Sequence, residues 1–160
     1  MNTTPQIAIW VDADACPRAI RELIVRAAVR TQLPACFVAN HLVPLPRTPF
    51  AIALNAPQGA DAADALIAER VQPGALVITA DLPLASDVLK KGALVLTHRG
   101  EPLTLDNIGP RLNMRDFMET MRASGEHHGG AKPLGPRDIQ QFANAFDRQL
   151  ARLPRPARST

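Results

Sequence analysis

The sequence predicts an α/β domain with a mainly parallel sheet. Short apolar runs rich in Val, Ile, Leu and Ala alternate with longer stretches in which apolar residues recur at helical spacing. Proline and glycine separate these stretches, as at Pro73-Gly74. This alternation is typical of β-α-β units, in which helices cover both faces of a parallel sheet. We therefore expect a three-layer α/β/α arrangement around five strands.

The first predicted strand, residues 7–11, has the sequence Ile-Ala-Ile-Trp-Val. Such a continuous apolar run favours a strand that is buried on both faces. Asp12 and Asp14 follow it, and Pro17 suits the first turn of a helix because its missing N–H costs little there. The two acids thus lie where a strand ends and a helix begins, at the edge of an open α/β sheet where ligands bind. For Asp14, simple capping of the helix is an alternative.

The other elements follow from the same signals. Further strands are predicted at 35–39, 50–54, 75–79 and 93–97, and helices at 17–31, 60–71, 82–91, 105–123 and 137–153. Residues 41–49 hold three prolines and predict an extended connection. The glycine-rich stretch 124–136 predicts a mobile loop. We expect the apolar stripe of the last helix to pack on its own sheet rather than to recruit a partner.

The length of 160 residues suits a single domain. We expect this domain to span 1–153, with a core at about 6–100, a helical extension at 105–153 and a disordered tail at 154–160. The sequence shows neither a signal peptide at its start nor an apolar run long enough to span a bilayer, which predicts a cytoplasmic protein without a membrane partner.

The net charge and the cysteine content exclude few classes of function. The net charge of +3 comes from 18 basic and 15 acidic residues, an excess too small to predict a nucleic-acid partner by itself. Cys16 and Cys36 have no metal-type spacing and are expected to be reduced thiols. Cys16 at a helix start could act as a nucleophile, but no histidine is near it in sequence, which favours a buried inert thiol. His98, His127 and His128 are too scattered or loop-bound to be predicted ligands.

Six aspartates in the first 90 residues form three pairs, each at a predicted strand end or helix start: Asp12 and Asp14, Asp61 and Asp64, Asp81 and Asp87. Aspartate is also favoured in the first turn of any helix. Three pairs on one edge of a parallel sheet nevertheless favour an acidic pocket. Converging carboxylates need raised pKa values or a cation, and Mg²⁺ is usually held by a few carboxylates and several waters. Such an ion activates water for phosphate hydrolysis.

Several motifs of the chain resemble the YaiI/YqxD family of uncharacterised bacterial proteins, which is grouped with PIN-like domains. The motifs are Val-Asp-Ala-Asp-Ala-Cys-Pro at 11–17, Gly-Ala-Asp-Ala-Ala-Asp at 59–64, Val-Ile-Thr-Ala-Asp-Leu-Pro-Leu-Ala at 77–85, Lys-Gly-Ala at 91–93 and Arg-Gly at 99–100. The similarity continues through Asn107-Ile108 to the late residues Asp138, Phe142 and Leu150.

The resemblance implies a PIN-like sheet with strand order 3-2-1-4-5, in which the strands that end at Asp12 and Asp81 are neighbours. PIN-type nucleases use about four acids to hold Mg²⁺ or Mn²⁺ and cleave RNA. By position, Asp12 and Asp81 correspond to the strand-end acids, and Asp64 or Asp61 takes the place of the helix acid. The expected metal ligands are thus Asp12, Asp64 and Asp81.

The leading hypothesis is a divalent-metal-dependent phosphodiesterase or ribonuclease with RNA or another nucleic acid as its partner. Asp14, Asp61 and Asp87 would orient water or a second ion, and Arg18 or Arg99 would meet phosphate. A non-catalytic PIN-like module that binds RNA or a protein is the alternative. A phosphatase with an aspartate nucleophile is a weaker one, because the chain lacks a later Asp-Asp pair.

Overall fold

A computed structural model describes residues 6–57, 59, 62–110 and 134–153 of the chain. Its sheet has six strands: β1 (Ile9–Asp12), β2 (Ala35–Ala39), β3 (Ala51–Asn55), β4 (Leu76–Ile78), β5 (Leu94–Leu96) and β6 (Pro102–Leu103). The helices are α1 (Arg18–Thr31), α2 (Ala62–Arg70), α3 (Leu82–Lys90), α4 (described over 105–110) and α5 (Pro136–Arg152). A short 3₁₀ turn, Ala13–Ala15, joins β1 to α1.

The strand order is β3-β2-β1-β4-β5-β6. The first five strands are parallel, which confirms the mainly parallel α/β fold predicted from the sequence, and their order is the one that the resemblance implies. The sixth strand was not predicted. It pairs antiparallel with β5 over only two residues, too few for a sequence period, and Pro102 is tolerated because β6 lies at the edge of the sheet.

Strand β1 lies at the centre of the sheet, where both of its faces are covered. Trp10 is level with Cys36 of β2 and Val77 of β4, and all four residues of β1 are buried. The continuous apolar run therefore encodes a central strand, as predicted. Edge strand β3 is only partly buried, in agreement with its position.

Successive residues of β1 point into two separate cores. Ile9 and Val11 belong to the core that contains apolar residues of α1 and α5, and Trp10 belongs to the core that contains those of α2 and α3. The sheet is thus the middle of three layers. In α5, Phe142 and Phe146 are fully buried with ring centroids 5.2 Å apart, which confirms that this helix packs on its own sheet.

Two predicted segments fall outside the described residues: most of the mobile loop at 124–136 and the tail at 154–160. Residues 111–123 of the predicted helix at 105–123 also lie outside the described residues. In the described ranges, no helix has both the length and the apolar character needed to cross a membrane.

Candidate active site

The candidate site lies at the carboxyl edge of the sheet, between β1 and β4. The chain runs from β1 outward to β2 and β3 and then crosses to β4 on the other side of β1, so these two central strands form the topological switch point. Ligands of open α/β sheets bind in the crevice at such a point. Asp12 is the last residue of β1, and Thr79 and Asp81 follow β4.

Asp12 is a buried carboxylate, with only 9% of its surface exposed. Thr79 Oγ1 donates a hydrogen bond of 3.1 Å to its Oδ2. Burial raises the pKa of Asp12 because the charged form loses water, and this effect exceeds the lowering by the Thr79 hydrogen bond. The nearby carboxylates of Asp81 and Asp14 raise the pKa further. Three of the predicted acids are therefore close enough to interact electrostatically.

Asp81 has a second role as the N-cap of α3. Its Oδ1 accepts the backbone N–H of Leu84 at 2.9 Å, and its own N–H donates to Thr79 Oγ1 at 3.0 Å. The Thr79 hydroxyl thus donates to one acid and accepts from the backbone of the other. The buried Thr79 side chain, directly after β4, therefore holds the Asp12 carboxylate and the backbone of Asp81 together.

Asp14 does not cap α1, so the capping alternative is wrong for this residue; Pro17 occupies that position without a side-chain hydrogen bond. The Asp14 carboxylate instead accepts the backbone N–H of Asn40, at 3.0 Å to Oδ2 and 3.3 Å to Oδ1. His41 Nδ1 lies 2.6 Å from Asp14 Oδ1. Both oxygens of Asp14 are therefore engaged, which leaves it less suited than Asp12 to hold an ion.

Two of the remaining predicted acids, Asp64 and Asp87, lie on the helices α2 and α3. Asp64 is half-buried in the first turn of α2 and has an interaction of its own, and Asp61 lies outside the described residues. Asp87 is exposed on α3 and is not among the charges that act on Asp12. Within the described ranges, no group of three or more His, Cys, Asp or Glu side chains has an arrangement that could hold a metal ion.

Both predicted phosphate ligands have acidic partners. Arg18 Nε lies 2.9 Å from Glu22 Oε1, one turn along the exposed face of α1. Arg99 Nη1 lies 3.3 Å from Asp138 Oδ2 and connects the end of β5 to the start of α5. A role for either arginine in phosphate binding would require these pairs to open or to be shared, and it stays a prediction.

Cys16, Cys36 and His98 are the other titratable residues that the sequence pointed to and the structure describes. Burial raises the pKa of Cys16 to about 12, with Arg21 opposing the shift and Asp12 adding to it. A thiol of this kind stays protonated at neutral pH, in agreement with the inert interpretation. Burial raises the pKa of Cys36 to about 11 and lowers that of His98, where Arg99 adds to the effect. His127 and His128 lie outside the described residues.

Comparison with known proteins places the chain in a family. The model of the uncharacterized YaiI/YqxD family matches residues 10–152. The chain belongs to the YaiI/YqxD family. Among its relatives, a UPF0178 protein of Vibrio vulnificus is 57% identical over 145 residues, which cover 91% of this chain and 97% of the relative. A UPF0178 protein of Shewanella amazonensis is 55% identical over 147 residues, covering 92% and 99% of the two chains. No solved structure gave a significant match.

The donor chemistry of this YaiI/YqxD site fits a hard divalent cation held by few ligands. Asp12 and Asp81 each use one carboxylate oxygen in a hydrogen bond, and the second oxygen of each has no such partner among the described residues. Mg²⁺ typically keeps several waters and is bound through one or two carboxylates together with substrate phosphates. The absence of a three-residue group in the described ranges is compatible with that mode of binding.

Proposed function

We propose that this protein is a divalent-metal-dependent phosphodiesterase of PIN-like type that acts on RNA, with its reaction centre at Asp12 and Asp81. The position of Asp12 carries the proposal, because a buried carboxylate next to two others is costly to ionise. Folding stability alone would favour a neutral residue at this position of the sheet. Perturbed acids in a crevice are typical of functional sites.

The chain's own residues have distinct roles in this proposal. Asp12 and Asp81 would hold Mg²⁺ or Mn²⁺, with Asp64 as the third ligand that the resemblance implies. Thr79 fixes the Asp12 carboxylate and the Asp81 backbone, so the two ligands are preorganised by one strand end. When bound, such an ion activates water and offsets the negative charge that develops on the phosphate.

Metal binding is tested first, by calorimetric titration of Mn²⁺ into protein freed of metal. The variants are Asp12→Asn and Asp81→Asn, which remove one charge each. Asparagine is as good an N-cap as aspartate, so Asp81→Asn keeps the start of α3. We expect both variants to lose at least about tenfold in affinity, because even the loss of an outer-shell partner of a metal ligand costs about 10–100-fold. Asp106→Asn, an exposed acid on α4, serves as the matched control and should bind like the unmodified protein.

The outcomes separate the parts of the proposal. If the unmodified protein binds no Mn²⁺, the metal-dependent mechanism is wrong. If Asp12→Asn and Asp81→Asn bind as tightly as Asp106→Asn, the metal site lies elsewhere.

Activity is tested with single-stranded RNA and DNA oligonucleotides in the presence of Mn²⁺. We expect RNA cleavage that disappears in the Asp12→Asn, Asp81→Asn double variant. Salt-sensitive binding of RNA without cleavage would instead favour the non-catalytic binding module. Cleavage by the double variant at the rate of the unmodified protein would contradict the proposal.

A further inference from the structure

Positive charge is divided unequally between the two helical layers that cover the sheet. In the layer of α1 and α5, α1 has four arginines and one acid, and α5 has three arginines and two acids. In the layer of α2 and α3, three acids outnumber two basic residues. An arginine-rich composition alone would spread arginine over all of these helices. The excess in one layer therefore calls for a role of that layer.

The arginines of this layer lie on the exposed faces of both helices. On α1, Arg18, Arg26 and Arg30 are separated by eight and four residues, and all three are exposed. Residues four apart are neighbours along a helix surface, so these arginines form a row. On α5, Arg148 and Arg152 are four residues apart and likewise exposed. The layer therefore presents two rows of guanidinium groups to the surroundings.

The two rows belong to one surface. Arg30 Nη2 donates a hydrogen bond of 3.1 Å to Asp147 Oδ1, which joins α1 to α5 directly. Within the described ranges, Arg26, Arg148 and Arg152 have neither a hydrogen bond nor an ion pair. Their guanidinium groups can thus bind an anion without first leaving a partner.

The row on α1 begins beside the proposed reaction centre. The 3₁₀ turn that follows Asp12 leads almost directly into α1, and Arg21 and Asp12 both act electrostatically on Cys16. From Arg18 to Arg30 the helix rises about 18 Å at 1.5 Å per residue. A stacked nucleic-acid strand has about 3.4 Å between successive phosphates, so this distance corresponds to about five nucleotides. A strand at the reaction centre can therefore continue along α1.

We propose that the exposed face of α1 and α5 binds the sugar–phosphate backbone of single-stranded RNA. This inference rests on the proposed function, because it assigns the surface that holds the same substrate away from the reaction centre. Arginine suits this role because its planar guanidinium binds phosphate through two hydrogen bonds. A membrane surface would also require large apolar side chains to insert, and of the exposed large apolar residues in the described ranges only Val29 belongs to these helices.

Fluorescence anisotropy tests this surface with a labelled oligouridylate of about 16 nucleotides, in EDTA and over a series of salt concentrations. The double variant Arg26→Gln, Arg148→Gln removes two arginines from the face. The control Arg70→Gln, Lys90→Gln removes two exposed charges from the opposite layer and has the same net charge. Each phosphate contact contributes about 0.7 to the slope of log K against log salt concentration for a single strand. We expect the first variant to lose about 1.4 in slope and about 10–30-fold in affinity at 0.1 M salt. The control should bind like the unmodified protein.

Equal losses in the two double variants would show that RNA responds to net charge and not to this face, and the inference would be wrong. It would also be wrong if neither variant lost affinity, if the unmodified protein bound no RNA, or if the arginines were needed for phosphatidylglycerol vesicles but not for RNA. Because EDTA excludes metal and cleavage, the two proposals can fail separately. Arginine-dependent binding without cleavage in Mn²⁺ would contradict only the phosphodiesterase, and cleavage with unchanged binding by the arginine variant would contradict only this surface.

Discussion

Single residues at the carboxyl edge of the sheet have neighbours that the pairing of the parallel strands determines. Asp12, Asp14 and Asp81 could be predicted because each follows an apolar strand, and parallel strands bring their ends to one edge. His41 could not, because its partner Asp14 is 27 positions away and becomes a neighbour only through the pairing register of β1 and β2. The signal that could have found it is its place just after the second strand.

Asp12 should lower the stability of the metal-free protein at neutral pH. Its pKa is raised in the folded state, so the folded state binds more protons than the unfolded state between the two pKa values. The free energy of unfolding therefore falls as pH rises from about the unfolded value of 3.8 through the folded-state pKa. We expect Asp12→Asn to gain about 1 kcal/mol at pH 7, within the range for stabilising substitutions.

Urea unfolding in the presence of EDTA measures this effect at pH 7 and at pH 4. The gain of Asp12→Asn should be larger at pH 7, because the raised pKa of Asp12 lowers the stability of the unmodified protein as pH rises above about 3.8, and the variant lacks this carboxylate. Asp106→Asn, where the acid is exposed, should change stability little at either pH. A loss of stability in Asp12→Asn at pH 7 would mean that the Thr79 hydrogen bond outweighs the cost of the buried charge.

Among the elements, α5 depends on a contact that the sequence alone does not reveal. Gly100, in the turn between β5 and β6, has φ +84° and lies against the backbone of α5. A Cβ atom built there would be 2.7 Å from the carbonyl oxygen of Gln141. The nearby ion pair of Arg99 with Asp138 joins the same turn to the first turn of the helix. The apolar stripe predicted that α5 packs on the sheet, but not which turn it meets.

Gly100→Ala tests this contact, with Gly74→Ala as its matched control. Gly74 has nearly the same conformation, φ +88°, but no atom within 4 Å of the added Cβ. We expect Gly74→Ala to cost about 1–2 kcal/mol from the left-handed backbone alone. Gly100→Ala should cost about 2–5 kcal/mol, since overpacking against α5 adds about 1–3 kcal/mol. Urea unfolding gives both values, and equal costs would show that the turn can move away from α5.

In the described part of the chain, strand and helix positions were predicted to within a few residues because their apolar periods are strong. The predicted strand at 75–79, for example, is observed as Leu76–Ile78. The end of that segment departs from the strand for a local reason, since the Thr79 hydroxyl binds the backbone of Asp81 to begin α3. Side chains that bind the backbone compete with the hydrogen bonds of the strand. They determine the residue at which a strand ends, whereas the apolar period predicts only its approximate position.

At the scale of the whole molecule, the proposed function implies that the acidic edge lowers the folding stability of the protein and in return would bind a cation. The sheet contributes two buried cores, and the switch point between them holds Asp12, where a neutral residue would fold at lower cost. Removing the charge of Asp12 should therefore have opposite effects on the stability of the metal-free and the metal-loaded protein.

This linkage can be measured as thermal and urea stability with and without Mn²⁺. A ligand that binds only the folded state at 100 times its Kd adds about 2.7 kcal/mol to the free energy of unfolding. We expect the unmodified protein and Asp106→Asn to show this gain, and Asp12→Asn and Asp81→Asn to lack it at the same Mn²⁺ concentration. Asp12→Asn should then be the more stable protein in EDTA and the less stable one in Mn²⁺, because it has lost both the cost of the buried charge and the ligand that charge provides. An equal gain in all four proteins would show that Mn²⁺ binds away from the switch point, and the stability cost of Asp12 would then need another explanation.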